Sequence, residues 1–186
     1  KAMRRGVRAW IRYTGWKGRG ERTKGFEEVA NEASNVVASR VRRSRNWEEY
    51  KFSSRLEPDE ARTMIARLKQ NFRDLGDRDG QFYEYEDLEL MEKLDRTALR
   101  ERRLLNRTLA EKTPPGGILC SEDERVSMVL NADAHIRLQV LASGLDLQAC
   151  YAKADALDDY INEKLQYAFN AHYGYPTSYP TNVGTA

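Results

Sequence analysis

Apolar residues recur three or four positions apart from Asp146 to Asn170, at Leu147, Cys150, Tyr151, Ala154, Leu157, Ile161, Leu165, Ala168 and Phe169. That spacing predicts one long amphipathic helix laid on a sheet. A second helix starts at Glu57-Pro58-Asp59-Glu60, where Leu56 can act as a staple, proline takes the first helical position and acids fill the first turn. Its stripe is Ala61, Ile65, Leu68, Phe72 and Leu75, and Gly76 ends it. A third helix is expected from about Asp87 to Leu105, burying Leu90, Met91, Leu94, Ala98 and Leu99. Arg100, Arg102 and Arg103 then fall at its carboxyl end, where cations complement the helix dipole.

Period-two alternation marks the strands. Gln81 to Tyr85 is one; behind the turn Thr113-Pro-Pro-Gly-Gly117 come Ile118 to Ser121, Arg125 to Leu130 and His135 to Leu141. The connections Glu122 to Glu124 and Asn131 to Ala134 are short, which implies antiparallel hairpins. Val36, Val37 and Val41 open a further strand-like run. Ahead of it, Met3 to Arg12 and Phe26 to Ala33 are expected as short helices separated by glycines. The fold class that results is α+β, an antiparallel sheet flanked by helices.

Composition narrows the partners. With 186 residues, 32% of them charged and a net charge of +2, the chain is long enough for a real core and is not polyanion-seeking as a whole. No apolar run approaches the ~18 residues of a membrane span, so no membrane partner is expected. Residues 1–34 form a separate basic segment. Lys1, Arg4, Arg5, Arg8, Arg12, Lys17, Arg19, Arg22 and Lys24 face one acid, Glu21, with Trp10, Tyr13 and Trp16 interleaved. That segment reads as a solvated basic run, with nucleic-acid binding as the alternative. Cys120 and Cys150 lack metal-ligand spacing and read as reduced core thiols of a cytoplasmic protein.

Two stretches carry candidate chemistry. Arg40, Arg42, Arg43 and Arg45 crowd one strand, and guanidinium groups so close repel unless an anion lies among them. The run reads as a solvated charge run or as a phosphate clamp, since in extended backbone Arg40 and Arg42 point to the same face, where both can reach one polyphosphate. Asn131 to Leu141 brings Asp133, His135 and Arg137 onto one loop and strand.

Three separated segments together resemble one family. Ala38-Ser-Arg-Val-Arg42, followed by Arg45, is similar to the S-[ST]-R-[VI]-R-x-x-R segment of the phosphagen (ATP:guanidino) kinases. Asn131-Ala-Asp-Ala-His-Ile-Arg-Leu-Gln139 resembles their N-E-E-D-H-[LI]-R-[IL]-Q segment, and Pro180-Thr-Asn-Val-Gly-Thr185 their C-P-T-N-[LV]-G-T segment. Leu94-Asp-Arg with Glu101-Arg-Arg-Leu points within the family to the bacterial protein arginine kinases. The resemblance implies a phosphagen kinase or glutamine synthetase-like catalytic domain over residues 35–186. It also implies ATP and Mg2+, and protein substrates bearing arginine. Ser39, Arg40, Val41, Arg42, Arg103 and Arg137 take nucleotide-side positions; Asp133, Thr181 and Asn182 take substrate-side ones, with Asp133 the candidate catalytic carboxylate.

Departures from the pattern fall on the acceptor side. Ala132 and Ala134 stand where the family has acids, Asp133 is a methylene shorter than Glu, and Tyr179 replaces the cysteine. The chain stops at Ala186 where the family continues with an R-A-S segment and further strands. A truncated domain is therefore expected, whose edge near Val183 invites a homodimer. Two functions follow: ATP-dependent phosphorylation of arginine in proteins, or a catalytically impaired module that keeps the phosphate arginines.

Overall fold

A computed structural model describes residues 36–112 and 114–179. The two N-terminal helices expected before Ala33, the basic segment, and the stretch containing Thr181, Asn182 and Val183 lie outside the described residues. Five strands form one antiparallel sheet: β1 (Ala38–Arg45), β2 (Tyr83–Asp87), β3 (Gly117–Ser121), β4 (Val126–Leu130) and β5 (Ile136–Ser143), in the order β1-β5-β4-β3-β2. The helices are α1 (Pro58–Asn71), α2 (Leu75–Asp79), α3 (Lys93–Glu101), α4 (Arg107–Lys112) and α5 (Leu147–Lys164). The α+β architecture expected from the pattern is present.

Alternation along the strands divides the core in two. Leu119, Val126, Met128, Leu130, Ile136, Leu138 and Val140 face Met64, Ile65 and Leu68 of α1 and Cys150, Ala154, Leu157 and Ile161 of α5. Ile118, Cys120 and Val129 face the other way, against Leu99, Leu104, Leu105 and Leu109 around α3 and α4. The central strands β3 and β4 are thus buried on both faces. The second apolar layer covers only the β2–β3–β4 end of its face and leaves the β1–β5 end to polar residues.

The start of α1 is as expected: Pro58 at the first position and a capping box between Glu57 and Glu60. The expected third helix is not continuous. Asp87 Oδ1 accepts from the Glu89 N–H at 2.9 Å and turns the chain, so α3 begins only at Lys93. Leu90 and Leu94 are exposed, at 85% and 72%. The inward place is taken instead by Arg96, 6% exposed, whose guanidinium donates to the carbonyls of Leu88, Met91 and Ala110. A buried arginine satisfied by carbonyls is invisible to an apolar count. The long helix also stops early, at Lys164. Leu165 is extended, and Leu165 and Tyr167 enter the core on alternate positions while Glu48 N–H donates to Gln166 O and Ala168 N–H to Asn46 O. Consequently Phe169, expected on the helix stripe, is exposed, as is Tyr151. Cys120 and Cys150 are buried thiols. No helix among the described residues is long and apolar enough to cross a membrane.

Candidate functional site

Strand pairing assembles the site. Arg40 lies opposite Leu141, Arg42 opposite Gln139, and Ser44 opposite Arg137, so Arg40, Arg42, Arg137 and Gln139 share the uncovered end of one sheet face. Arg103 joins them from the turn after α3, where the Gln139 side-chain amide donates to its carbonyl at 3.1 Å. The four guanidinium groups feel one another. Burial lowers the proton affinity of Arg40 most, and Arg42, Arg103 and Arg137 lower it further. Arg137 is lowered by burial first and by Arg42, while Asp133 opposes the shift. Asp133 Oδ1 stands 3.7 Å from Arg137 Nη1, beyond hydrogen-bond reach, and has no hydrogen-bond partner although that oxygen is buried. Like charges gathered on one sheet face, with Asp133 the nearby counter-charge among the described residues, can hold an anion.

The remaining residues of the two motifs are used differently. Ser39 and Val41 point to the opposite face. Ser39 is 3% exposed; its hydroxyl donates to Gly144 O and accepts from Asp146 N–H, both at 2.8 Å, tying β1 to the start of α5. Val41 pairs with Val140 and packs on the larger core. Arg43 and Arg45 also take that face. Asp158 Oδ2 accepts from both at 2.7 Å, Asp155 holds Arg43 at 2.6 Å, and Tyr167 donates to Asp158 Oδ1 at 2.8 Å. The crowded run of arginines is therefore split two and two, with carboxylates on one side of the sheet and the Arg40, Arg42, Arg103 and Arg137 cluster on the other. His135, singled out with Asp133 and Arg137 as a polar group aimed at a site, is fully buried and hydrogen-bonded to backbone at both ring nitrogens. Ala132 and Ala134 form the tight β4–β5 turn, with Ala132 N–H donating to Ala134 O at 3.0 Å. Tyr179 is half-exposed and its carbonyl accepts from the Thr177 hydroxyl.

A cavity of about 610 Å3 lies elsewhere, on the helix side of the sheet between α1 and β2, lined by Lys69, Phe72, Arg73, Tyr83, Tyr85 and Leu119. It does not touch the arginine cluster, and the chemistry favours the cluster as the site. Gln139 was not singled out in the sequence. Its signals there are a polar residue at the same alternate position as Arg137 and its place as the last residue of the Asn131–Gln139 segment.

Residues 63–186 match the family model described as ATP:guanido phosphotransferase, C-terminal catalytic domain. The chain is 41% identical over 162 residues to the protein-arginine kinase of Bacillus velezensis, covering 86% of this chain and 44% of that protein. To the protein-arginine kinase of Bacillus subtilis it is 38% identical over 160 residues, with the same two coverages. These matches are longer than the family-model segment and take in β1. The chain thus spans under half the length of the curated relatives it matches. Among solved structures, the substrate-free duplicated taurocyamine kinase from Schistosoma mansoni superposes with a TM-score of 0.70 at 26% identity, over 81% of this chain and 22% of that one. Lombricine kinase shares the fold with a TM-score of 0.67 at 18% identity, over 81% of this chain and 45% of that one.

Proposed function

Because this chain belongs to the ATP:guanido phosphotransferase family, we propose that it is the part of an ATP-dependent protein-arginine kinase that grips the nucleotide phosphates, with Arg40, Arg42, Arg103 and Arg137 as phosphate ligands. The observation that carries this is their convergence on one uncovered sheet face, where Asp133 is the counter-charge found among the described residues. In the transfer, the bond from the terminal phosphorus to the β,γ-bridging oxygen breaks, a nitrogen–phosphorus bond forms to an arginine side chain, and that guanidinium gives up a proton. Fixed guanidinium groups stabilise the charge spread over the phosphate oxygens and need no reorganisation as it develops. An acceptor guanidinium is no nucleophile until a carboxylate orients it and relieves it of a proton. Asp133 is the carboxylate beside the cluster, and we assign it that task.

Mg2+, when bound, neutralises charge between the β- and γ-phosphates. Among the described residues no group of three His, Cys, Asp or Glu could hold a metal ion. The names of the curated relatives support proteins bearing arginine as substrates, and buried thiols at Cys120 and Cys150 fit a cytoplasmic location. One observation favours a second reading, phosphate binding without transfer: Ala132 and Ala134 flank an Asp133 already turned toward Arg137. A single assay separates the two. The chain is incubated with radiolabelled ATP and an arginine-rich protein; acid-labile phosphoarginine lost in Asp133→Ala is expected of the kinase, and ATP binding without label leaves the second reading.

A further inference from the structure

Gln139 lies on the same sheet face as Arg42 and Arg137 but carries no charge for a phosphate. It is 4% exposed, sits between Arg42 on β1 and Ser127 on β4 in the sheet register, and its amide Nε2 donates to the Arg103 carbonyl at 3.1 Å. Arg103 itself has φ 64°, a left-handed conformation that costs any residue with a Cβ. The turn's N–H groups are satisfied locally, Arg103 to Arg100 O at 2.9 Å and Leu104 to Leu99 O at 2.9 Å, and Leu104 and Leu105 are buried in the smaller core. Those contacts anchor the turn to its own helix. Gln139 is the contact that ties it to the floor of the arginine cluster.

We propose that Gln139 is a positioning residue for nucleotide binding: by holding the Arg103 carbonyl it fixes the strained turn that carries the Arg103 guanidinium over Arg40, Arg42 and Arg137. The residue type suits the task. An amide donates to a carbonyl and stays neutral, whereas a carboxylate at this place would pair with Arg42 and compete with the phosphate. An apolar residue would fill the space but release the turn. This inference rests on reading the cluster as a phosphate site.

The test is a double-mutant cycle on the whole chain, using Gln139→Met, which keeps length without a donor, and Arg103→Ala, which keeps the left-handed cost of an L residue. Affinity for ATP and for inorganic tripolyphosphate is measured at fixed salt, with thermal midpoints recorded alongside. Gln139→Met should weaken both ligands about fivefold in the unaltered chain and less than about twofold when Arg103 is already alanine. Its effect on the thermal midpoint should be the same in both backgrounds. Gln139→Asn, which keeps the amide but cannot reach, provides a milder second variant and should show the same dependence on Arg103. Losses of affinity that simply add, with Arg103→Ala itself weakening binding, overturn the role of Gln139 and leave the phosphate site standing. If the unaltered chain binds neither ligand, the phosphate-site reading fails and takes this inference with it.

Discussion

The backbone N–H of Trp47 donates to Nδ1 of His135 at 2.9 Å, while Nε2 of the same ring lies 2.7 Å from the Lys51 carbonyl. A ring that accepts at one nitrogen must donate at the other, so His135 is the neutral Nε2–H tautomer. Burial drives its pKa down, opposed in part by the Lys51 carbonyl. The unfolded chain, titrating near about 6.5, therefore binds the proton more tightly than the folded one. Stability is complete above that value and is lost as the pH falls through it toward the folded pKa. Thermal midpoints taken from pH 8 down to 5 should fall on the acid side. A profile that stays flat in the natural chain, or an acid-side drop unchanged in His135→Asn, would contradict this.

Asp158 should matter far more to stability than its neighbour Asp155. Asp158, 5% exposed, is shared by Arg43 and Arg45, and removing it leaves the buried Arg45 guanidinium without its carboxylate at a cost of about 3 to 5 kcal/mol, while Arg43 keeps Asp155. The Asp155 side chain is 50% exposed, and its pair with Arg43 is worth at most about 1 kcal/mol. Urea denaturation of Asp158→Asn and Asp155→Asn compares them directly; equal losses would refute the ranking.

Arg40→Ala should separate binding from folding. Arg40 is exposed beside three like charges, so its loss should move stability by no more than about 0.5 kcal/mol. ATP affinity should nevertheless drop about tenfold through the lost charge-assisted hydrogen bonds. Calorimetric titration with a parallel melt reads both, and the rise in melting temperature that ATP gives should shrink as salt is added.

A side chain at Gly117 would displace the Tyr85 ring. A Cβ there would lie 2.7 Å from Cε2 and 2.8 Å from Oη of Tyr85, across the β2–β3 pair. Gly117→Ala should cost about 1 to 3 kcal/mol by forcing that ring off its packing against the larger core. Tyr85→Ala in the same chain should recover part of the loss, measured as the denaturation midpoint of the single and double variants.

The sheet, its hairpins and α5 can be seen in the sequence because β4, β5 and α5 have clear apolar periods and short connections. The break before α3 cannot, since Arg96 occupies an inward place by donating to carbonyls that only the folded chain gathers. The pairing of Arg40 with Arg42 on one face was visible from period two alone. The diversion of Arg43 and Arg45 to Asp155 and Asp158 was not, because their partners lie more than a hundred residues away. The misjudged case is His135: its place beside Asp133 and Arg137 suggested shared chemistry, yet the first residue position of a strand next to a hairpin turn can face inward as readily as toward a ligand.

The division of β1 makes that strand's length as consequential as its composition. Inserting or deleting one residue between Arg42 and Arg43 would put the two pairs out of phase, so that while Arg43 and Arg45 keep Asp158, Arg40 and Arg42 turn to the core face. Point substitutions in β1 can damage the anion cluster or the buried ion network separately. A change of length between them would set the one against the other.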